Sequence, residues 1–144
     1  MEVDQIKRVV NNFIEEIWNQ QRYDKLDDYL HPEYIDHSLP TPLSPDRTGL
    51  REWIQATSLS FSHRTLIEDQ VSEGNKIILK IKMLMTHIGA WRGIDPVGAQ
   101  VSTGGYRFYR LQEGKIIEHW AEINGTVLES QLKQQSVEGC KIPE

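Results

Sequence analysis

The chain lacks most of the features that would place a sequence in a functional class at first sight. It has one cysteine, Cys140, so no internal disulfide can form. It has no run of Lys or Arg and a formal net charge of −5, which argues against nucleic acid or an anionic membrane surface as the main partner. No apolar run approaches the roughly 20 residues of a membrane span, and residues 1–12 lack the apolar core of a signal peptide. We therefore expect a cytoplasmic protein that binds neither nucleic acid nor a membrane.

Motifs for several common chemistries are missing as well. No glycine-rich phosphate loop follows a predicted strand, and no nucleophile elbow is present. No two histidines stand four residues apart on a predicted helix beside a carboxylate, so we expect no metal site. The paired glycines Gly104 and Gly105 lie inside a strand pattern, where they predict a bulge or a close backbone approach.

Hydrophobic periodicity across the 144 residues predicts one α+β domain. Apolar residues at spacings of three and four predict helices, and alternating patterns between turn signals predict strands. The first predicted helix has its apolar residues between Ile6 and Trp18, could be capped by Asp4 and ends near residues 19–22. The other predicted helices are residues 23–30, 48–60 and 126–133, and the predicted strands are residues 33–38, 64–72, 76–87, 101–111 and 116–124. Helices followed by hairpin-joined strands are typical of an antiparallel sheet covered by helices, which would form a cone with an interior if the sheet curled. We assign residues 1–135 to the domain and residues 136–144 to a C-terminal tail.

The last predicted strand carries the most informative pattern. Side chains alternate across a strand, so its polar and aromatic groups share one face. These groups are Glu118, Trp120, Glu122 and Asn124. They suit the wall of a pocket, where a carboxylate beside an indole would have a raised pKa and could serve in acid–base chemistry. They equally suit a sheet with one solvated face, and alternation alone leaves both interpretations open.

Three residues outside this strand are further candidates. His87 ends an apolar strand face, so it is either a proton donor or acceptor on a pocket wall or a core-edge histidine bound to a backbone carbonyl. His37 precedes a proline-rich loop, where a functional role and an ordinary one both remain open. Arg107 lies on the neighbouring predicted strand and could neutralise one of the two carboxylates. His119 shows no distinguishing pattern.

Three segments together resemble the SnoaL-like polyketide cyclases of the nuclear transport factor two-like superfamily. Residues 86–98, Thr-His-Ile-Gly-Ala-Trp-Arg-Gly-Ile-Asp-Pro-Val-Gly, are similar to the family's Thr-His-x-Gly loop followed by Gly, Pro and Gly. Residues 114–120, Gly-Lys-Ile-Ile-Glu-His-Trp, are similar to its Gly-Lys-Ile-x-Glu-x-Trp strand. Residues 124–132 end in Gln-Leu like the family's Gln-Leu-Gly, with Lys133 in place of the glycine. The resemblance covers most of residues 5–133.

The resemblance implies a cone-shaped α+β barrel, with a curved antiparallel or mixed sheet and three or four helices around a pocket. It also implies that the protein needs no cofactor and forms a homodimer. Tyr106 and Phe108 are candidate contacts of that dimer, and they could equally belong to the core. Characterised members close a ring in a polyketide ester by an intramolecular aldol reaction, with an aspartate as base. That aspartate lies four residues after the tryptophan, where this chain has Asn124. An amide cannot accept a proton near neutral pH, so Asn124 could only donate a hydrogen bond or orient a water.

Pattern and resemblance together predict a site and leave three functions open. The predicted catalytic residues are His87, Glu122 and Asn124, and the predicted substrate contacts are Trp120, Glu118, His37, Trp18 and Arg107. The first function is a cyclase-like or isomerase-like enzyme acting on a small hydrophobic carbonyl compound, such as a polyketide-like ester. The second is a hydrolase of the epoxide-hydrolase type, in which Glu122 or Glu118 activates a water. The third is a binding module of the same fold without turnover.

Overall fold

Four α-helices and five strands make up most of the part of the chain that the structure, a computed structural model, describes. That part is residues 2–139, with side chains to residue 135. In chain order the elements are α1 (Val3–Phe13), a π-helical continuation (Ile14–Asn19), a 3-10 turn (Tyr23–Lys25), α2 (Leu26–Tyr29), β1 (Leu30–Asp36), α3 (Arg47–Ser60), β2 (Phe61–Glu73), β3 (Lys76–His87), β4 (Gln100–Gln112), β5 (Lys115–Ile123) and α4 (Gly125–Gly139). The last helix continues into the predicted tail. The rest of that tail, residues 140–144 with Cys140, lies outside the described residues.

The strands form one mixed sheet in the order β1-β5-β4-β3-β2. Strands β2 to β5 are antiparallel neighbours, which confirms the predicted succession of hairpins. β1 returns to pair with β5 in parallel, and this pairing sets Asp36 opposite His119. β1 and β2 are the two edges of the sheet, so the sheet does not close into a complete barrel. The architecture is α+β with a curved, open sheet.

One face of the sheet supplies the core. Burial alternates along β3, where every second residue from Ile77 to His87 is buried. Helix α1 and its π-helical continuation pack on β2, and α3 packs on β1 and β2. Their apolar residues complete the core, each contributing about 1.5–3 kcal/mol when fully buried. The opposite face of the sheet is the more exposed one and is called the outer face below.

Side-chain hydrogen bonds fix the elements that carry the interior. Asp46 accepts a hydrogen bond from the backbone N–H of Gly49 and caps α3. The Asn19 amide bonds both backbone groups of Thr65, at 2.7 Å to the nitrogen and 3.1 Å to the oxygen. Because Asn19 ends the π-helical segment, this bond attaches that segment to β2 and holds the adjacent Trp18 over the sheet.

The glycine pair in β4 marks a close backbone approach. The register of β4 with β3 continues through Gly104 and Gly105 without a bulge, and Gly105 pairs with Ile123 of β5. A Cβ on Gly105 would collide with the backbone carbonyl of Glu122 on β5. The second of the two alternatives expected from the sequence is therefore the correct one.

Among the helices of residues 2–139, none combines the length and apolar character that crossing a membrane requires.

Candidate functional site

Three buried polar side chains form a hydrogen-bonded chain across the inner face of β1, β5 and β4. His119 Nδ1 lies 2.8 Å from Asp36 Oδ2, and His119 Nε2 lies 3.4 Å from Arg107 Nη1. The exposed fractions of Asp36, His119 and Arg107 are only 2%, 2% and 4%. Arg107 pairs with Ala121 across the β4–β5 ladder, so it sits diagonally from His119 on the same face.

Asp36 is held as a carboxylate by several donors. The Tyr34 hydroxyl donates to Oδ2 at 2.7 Å, and Ser38 donates to Oδ1 from its backbone nitrogen and its hydroxyl at 3.0 and 2.7 Å. Burial raises the pKa of Asp36, but the hydrogen bonds from His119, Tyr34 and Ser38 outweigh burial and hold that pKa well below its usual range. Asp36 is therefore ionised near neutral pH and acts as an acceptor on both oxygens.

His119 is held as a neutral base. Burial lowers its pKa below the ordinary value of 6.5, more than the neighbouring Asp36 carboxylate raises it, and the Arg107 charge lowers it further. Because ionised Asp36 can only accept, we assign the ring proton to Nδ1, which leaves the lone pair on Nε2. The ring stacks on Tyr109 with centroids 4.6 Å apart, so its plane is also fixed.

Arg107 is a buried cation without a carboxylate partner among the described residues. Its guanidinium lies over the Trp18 ring, with Cζ 4.2 Å from the centroid. Its Nε finds no hydrogen-bond acceptor in the described part of the chain. Its link to Asp36 passes through the neutral His119 ring.

Two adjoining cavities meet at Arg107. The first, called the inner cleft, has a volume of about 510 Å³ and is lined by Asp36, His119 and Arg107 together with apolar side chains of α3 and the proline-rich loop. The second, of about 200 Å³, is lined mainly by apolar side chains such as Phe61, Met83 and Leu128. The two share four lining residues, Trp18, Trp53, Arg107 and Ile123. The result is a largely apolar space with one oriented imidazole and one cation.

The site residues predicted from the sequence do not come together. Trp18 and Arg107 line both cavities. His87 is buried, but its ring stacks on Phe61 at 5.2 Å and does not line either of these two cavities. Neither ring nitrogen of His87 has a partner among the described residues, so the expected hydrogen bond to a backbone carbonyl is absent from residues 2–139.

His37, Glu118 and Trp120 form a separate cluster on the outer face. Glu118 accepts hydrogen bonds from Arg110 and lies 2.8 Å from His37 Nε2, while the His37 ring stacks on Trp120 at 4.5 Å. The expectation that Arg107 neutralises a carboxylate of this strand is wrong, because Arg107 points to the inner face and Arg110 makes the contact. The expected rise in pKa is also wrong for Glu118, since hydrogen bonds from His37 and Arg110 lower its pKa.

Glu122 and Asn124 lie near the end of β5. Glu122 is exposed at the rim, where it borders the inner cleft and two depressions of the outer face. Asn124 is exposed and caps α4, since its Oδ1 accepts a hydrogen bond from the Val127 backbone N–H at 3.0 Å. The solvated-face interpretation therefore describes this side of β5 better than the pocket-wall interpretation.

Asp36 and His119 were missed as functional candidates by sequence reasoning. Their contact depends on the parallel pairing of β1 with β5, across a separation of 83 residues, which no local pattern predicts. One signal was present: alternation put His119 on the apolar face of its strand, and a buried polar group needs a partner. Among the described side chains, no group of three or more His, Cys, Asp and Glu residues could hold a metal ion.

Comparison with known proteins points to one family. A sequence model described as SnoaL-like polyketide cyclase matches residues 8–132. The chain is 28% identical to the nogalonic acid methyl ester cyclase of Streptomyces nogalater over 120 aligned positions, which cover 76% of this chain and 86% of that protein.

Solved structures show the same fold. The structure of TsrD from Streptomyces laurentii superposes with a TM-score of 0.79 at 23% identity, covering 92% of this chain and 97% of that one. A SnoaL-like polyketide cyclase from Agrobacterium tumefaciens strain C58 superposes with a TM-score of 0.74 at 17% identity, covering 92% and 99%. At these identities the structural likeness establishes the fold alone.

Proposed function

Because the chain belongs to the SnoaL-like polyketide cyclase family, as its motifs predict, we propose that it is an acid–base enzyme for a small hydrophobic carbonyl compound. The observation that supports this most strongly is the neutral His119 held by ionised Asp36 in the inner cleft. A base whose ring is oriented by a buried carboxylate is a recurring device of proton-transfer enzymes. The named relative is a cyclase of nogalonic acid methyl ester, and we extend cyclisation of an ester to this chain as part of the proposal.

The proposed reaction begins with proton removal. Nε2 of His119 takes a proton from a carbon next to a carbonyl group, and the Asp36 carboxylate stabilises the resulting imidazolium through Nδ1–H. Arg107 donates a hydrogen bond to the enolate oxygen as negative charge develops there. The present contact from Arg107 Nη1 to Nε2 is long, at 3.4 Å, so a substrate oxygen that takes over this donor would leave the lone pair free.

The enolate then closes the ring. Its carbon forms a bond to a second carbonyl carbon of the same molecule, and the carbonyl π bond breaks to give an alkoxide. The proton held on His119 passes to that alkoxide, which returns the imidazole to its neutral form. The product is an isomer of the substrate, so the reaction consumes no further reactant.

Position favours His119 over the catalytic residues expected from the sequence. His87 lies outside the lining of the inner cleft, Glu122 stands at its exposed rim, and the Asn124 amide is used as a helix cap. Catalytic roles for these three residues stay predictions.

A test of the proposal uses purified protein and a panel of β-keto esters and β-diketones that can cyclise. We expect at least one compound to be turned over, and we expect His119→Gln to lower kcat/KM by about 10²–10⁴-fold. His31→Gln is the matched control, since His31 is also buried but lies outside both cavities. Equal rates for the parent and His119→Gln on a responsive substrate would remove His119 from the mechanism.

A binding module without turnover is the second candidate. The observation that favours it is Asn124 at the position where the family carries its catalytic aspartate. In this case the panel gives no product, and an apolar compound that co-purifies with the protein is detected by mass spectrometry. Turnover by the parent that depends on His119 would exclude this candidate.

A homodimer also remains a proposal. The outer face carries an apolar patch, made of Ile78, Tyr106, Phe108 and Trp120, and Tyr106 is 51% exposed. Contiguous exposed apolar surface of this kind is typical of protein interfaces. Sedimentation equilibrium should then give twice the monomer mass for the parent and the monomer mass for Tyr106→Glu, and a monomeric parent would refute the dimer. The expected cytoplasmic location likewise stays a prediction.

A further inference from the structure

Arg107 is a buried charge whose surroundings do not supply a counter-ion. Within the described residues it makes no ion pair, and its one hydrogen bond is to the neutral ring of His119. Taking a guanidinium out of water is unfavourable unless an anion or several acceptors compensate. A ligand that brings a negative oxygen to Arg107 would supply that compensation.

The two acidic residues that line the inner cleft do not fill this role. Both oxygens of Asp36 are already bonded, Oδ1 by Ser38 and Oδ2 by Tyr34 and His119. Glu122 borders the same cleft but is exposed and makes no ion pair with Arg107 in the described part of the chain. The positive charge of Arg107 is therefore left for whatever enters the cleft.

The neighbouring hydrogen-bond donors show the same shortage of acceptors. Trp18, on which the guanidinium stacks, is 1% exposed, and its Nε1 has no partner among the described residues. Nε of Arg107 likewise has no hydrogen-bond acceptor among the described residues. Both residues line both cavities, and much of the remaining lining is apolar. Hydrogen-bond donors without acceptors, surrounded by apolar lining, are complementary to an apolar molecule that carries an anionic oxygen.

We propose that the inner cleft selects hydrophobic organic anions, namely molecules with a carboxylate or an ionised enol, and that Arg107 is their counter-ion. This inference rests on the proposed function in that it names the substrate class of the same site. During the proposed reaction the charges would balance, because the anion faces Arg107 while the proton on His119 faces Asp36. A neutral amide of the same shape would leave Arg107 without a counter-ion and would bind less tightly.

Two matched aromatic probes test this by isothermal titration calorimetry. The first is 2-naphthoate and the second is its neutral isostere 2-naphthamide, neither of which has a carbon that the proposed base could deprotonate. We expect the parent to bind naphthoate at least about tenfold more tightly than naphthamide, as a charge-assisted hydrogen bond to a buried guanidinium provides. Equal affinity for the two probes, or no binding of naphthoate, would overturn the proposal.

Two variants test whether Arg107 is the source of the preference for naphthoate over naphthamide. In Arg107→Met the difference between the probes should disappear, while Arg110→Met, on the outer face of the same strand, should keep it. If Arg107→Met does not fold, Arg107→Lys keeps a cation and should retain a reduced preference for naphthoate. A full preference in Arg107→Met, or its loss in Arg110→Met, would contradict the assignment.

A second pair of compounds separates the two sources of negative charge. If the cleft accepts an ionised enol, an enolisable β-diketone should compete with naphthoate, whereas its dialkylated form, which cannot ionise, should not. If neither compound competes, the site is limited to carboxylates, and Arg107 remains their counter-ion. These binding measurements need no turnover. A naphthoate preference together with an inactive substrate panel would therefore refute the proposed reaction and leave the anion selectivity standing.

Discussion

Two histidine–carboxylate pairs lie back to back where β1 meets β5, and they differ in burial rather than in geometry. On the inner face His119 lies 2.8 Å from Asp36, and on the outer face His37 lies 2.8 Å from Glu118. The side chains of the inner pair are 3% and 0% exposed, whereas those of the outer pair are 36% and 19% exposed. β5 contributes Glu118 to the outer face and His119 to the inner face, while β1 ends with Asp36 and is followed directly by His37.

The difference shows that contact distance alone does not assign chemistry to such a pair. In water the charges are screened, and a solvated pair contributes about 0–1 kcal/mol. In the interior, burial lowers the pKa of His119, so its ring is neutral, while hydrogen bonds keep Asp36 ionised. The carboxylate therefore carries the charge of the inner pair. The inner pair therefore behaves as a poised base, and the outer pair as a partly solvated hydrogen-bonded pair beside Arg110.

The largest expected difference between the pairs is in activity. Asp36→Asn keeps the shape of the residue but removes the charge that stabilises the imidazolium, so kcat/KM should fall by about 10²–10⁴-fold on any substrate that the parent turns over. Glu118→Gln, the matched change on the outer face, should change kcat/KM by less than about threefold if the outer face takes no part. Steady-state kinetics of both variants on one substrate makes the comparison. Comparable losses in the two variants would show that the outer pair also contributes.

The next difference is in stability. His119→Ala leaves the Asp36 carboxylate buried with one hydrogen bond fewer, and a hydrogen bond to a charged group is worth about 1.5–3 kcal/mol. His37→Ala should cost about 1 kcal/mol or less, because Glu118 keeps Arg110 and the site is partly solvated. Urea unfolding monitored by circular dichroism gives both free energies of unfolding. The account fails here if the two losses are equal.

The smallest difference is in how stability responds to pH. The pKa of His119 is lower in the folded protein than its ordinary value of 6.5, so below pH 6.5 the unfolded chain binds a proton that the folded chain does not. Stability should therefore fall as the pH drops from 6.5 toward the folded pKa, and His119→Gln should remove that component. Glu118 has a pKa below its ordinary value of 4.5, so its component is present above pH 4.5 and is lost only as the pH falls below that value. Unfolding midpoints measured between pH 7.5 and 4 separate the two components, and an unchanged slope in His119→Gln would refute the first.

Much of the fold followed from local patterns, because helix and strand periodicity depends on neighbouring residues. The predicted strand 76–87 has the bounds of β3, and the predicted start of the third helix is one residue from that of α3. The parallel return of β1 to β5 was not predicted, since it joins segments far apart in the sequence.

The candidate site was predicted less well for the same reason. Alternation correctly separated the two faces of β5, but it did not say which face turns inward. The polar side chains of Glu118 and Glu122 fit the pattern expected of a functional set, whereas no local pattern marks His119 among its apolar neighbours. Only the position of Asp36 on the neighbouring strand shows that His119 has a buried partner.

The protonation state of His119 is the most direct measure of the central claim. Long-range ¹⁵N–¹H correlation spectra of the parent at pH 7 distinguish a neutral ring with its proton on Nδ1, a neutral ring with its proton on Nε2, and a charged ring. Asp36→Asn serves to assign the His119 signals. The account predicts a neutral His119 with the proton on Nδ1, held against ionised Asp36; a charged ring, or a proton on Nε2, would contradict it.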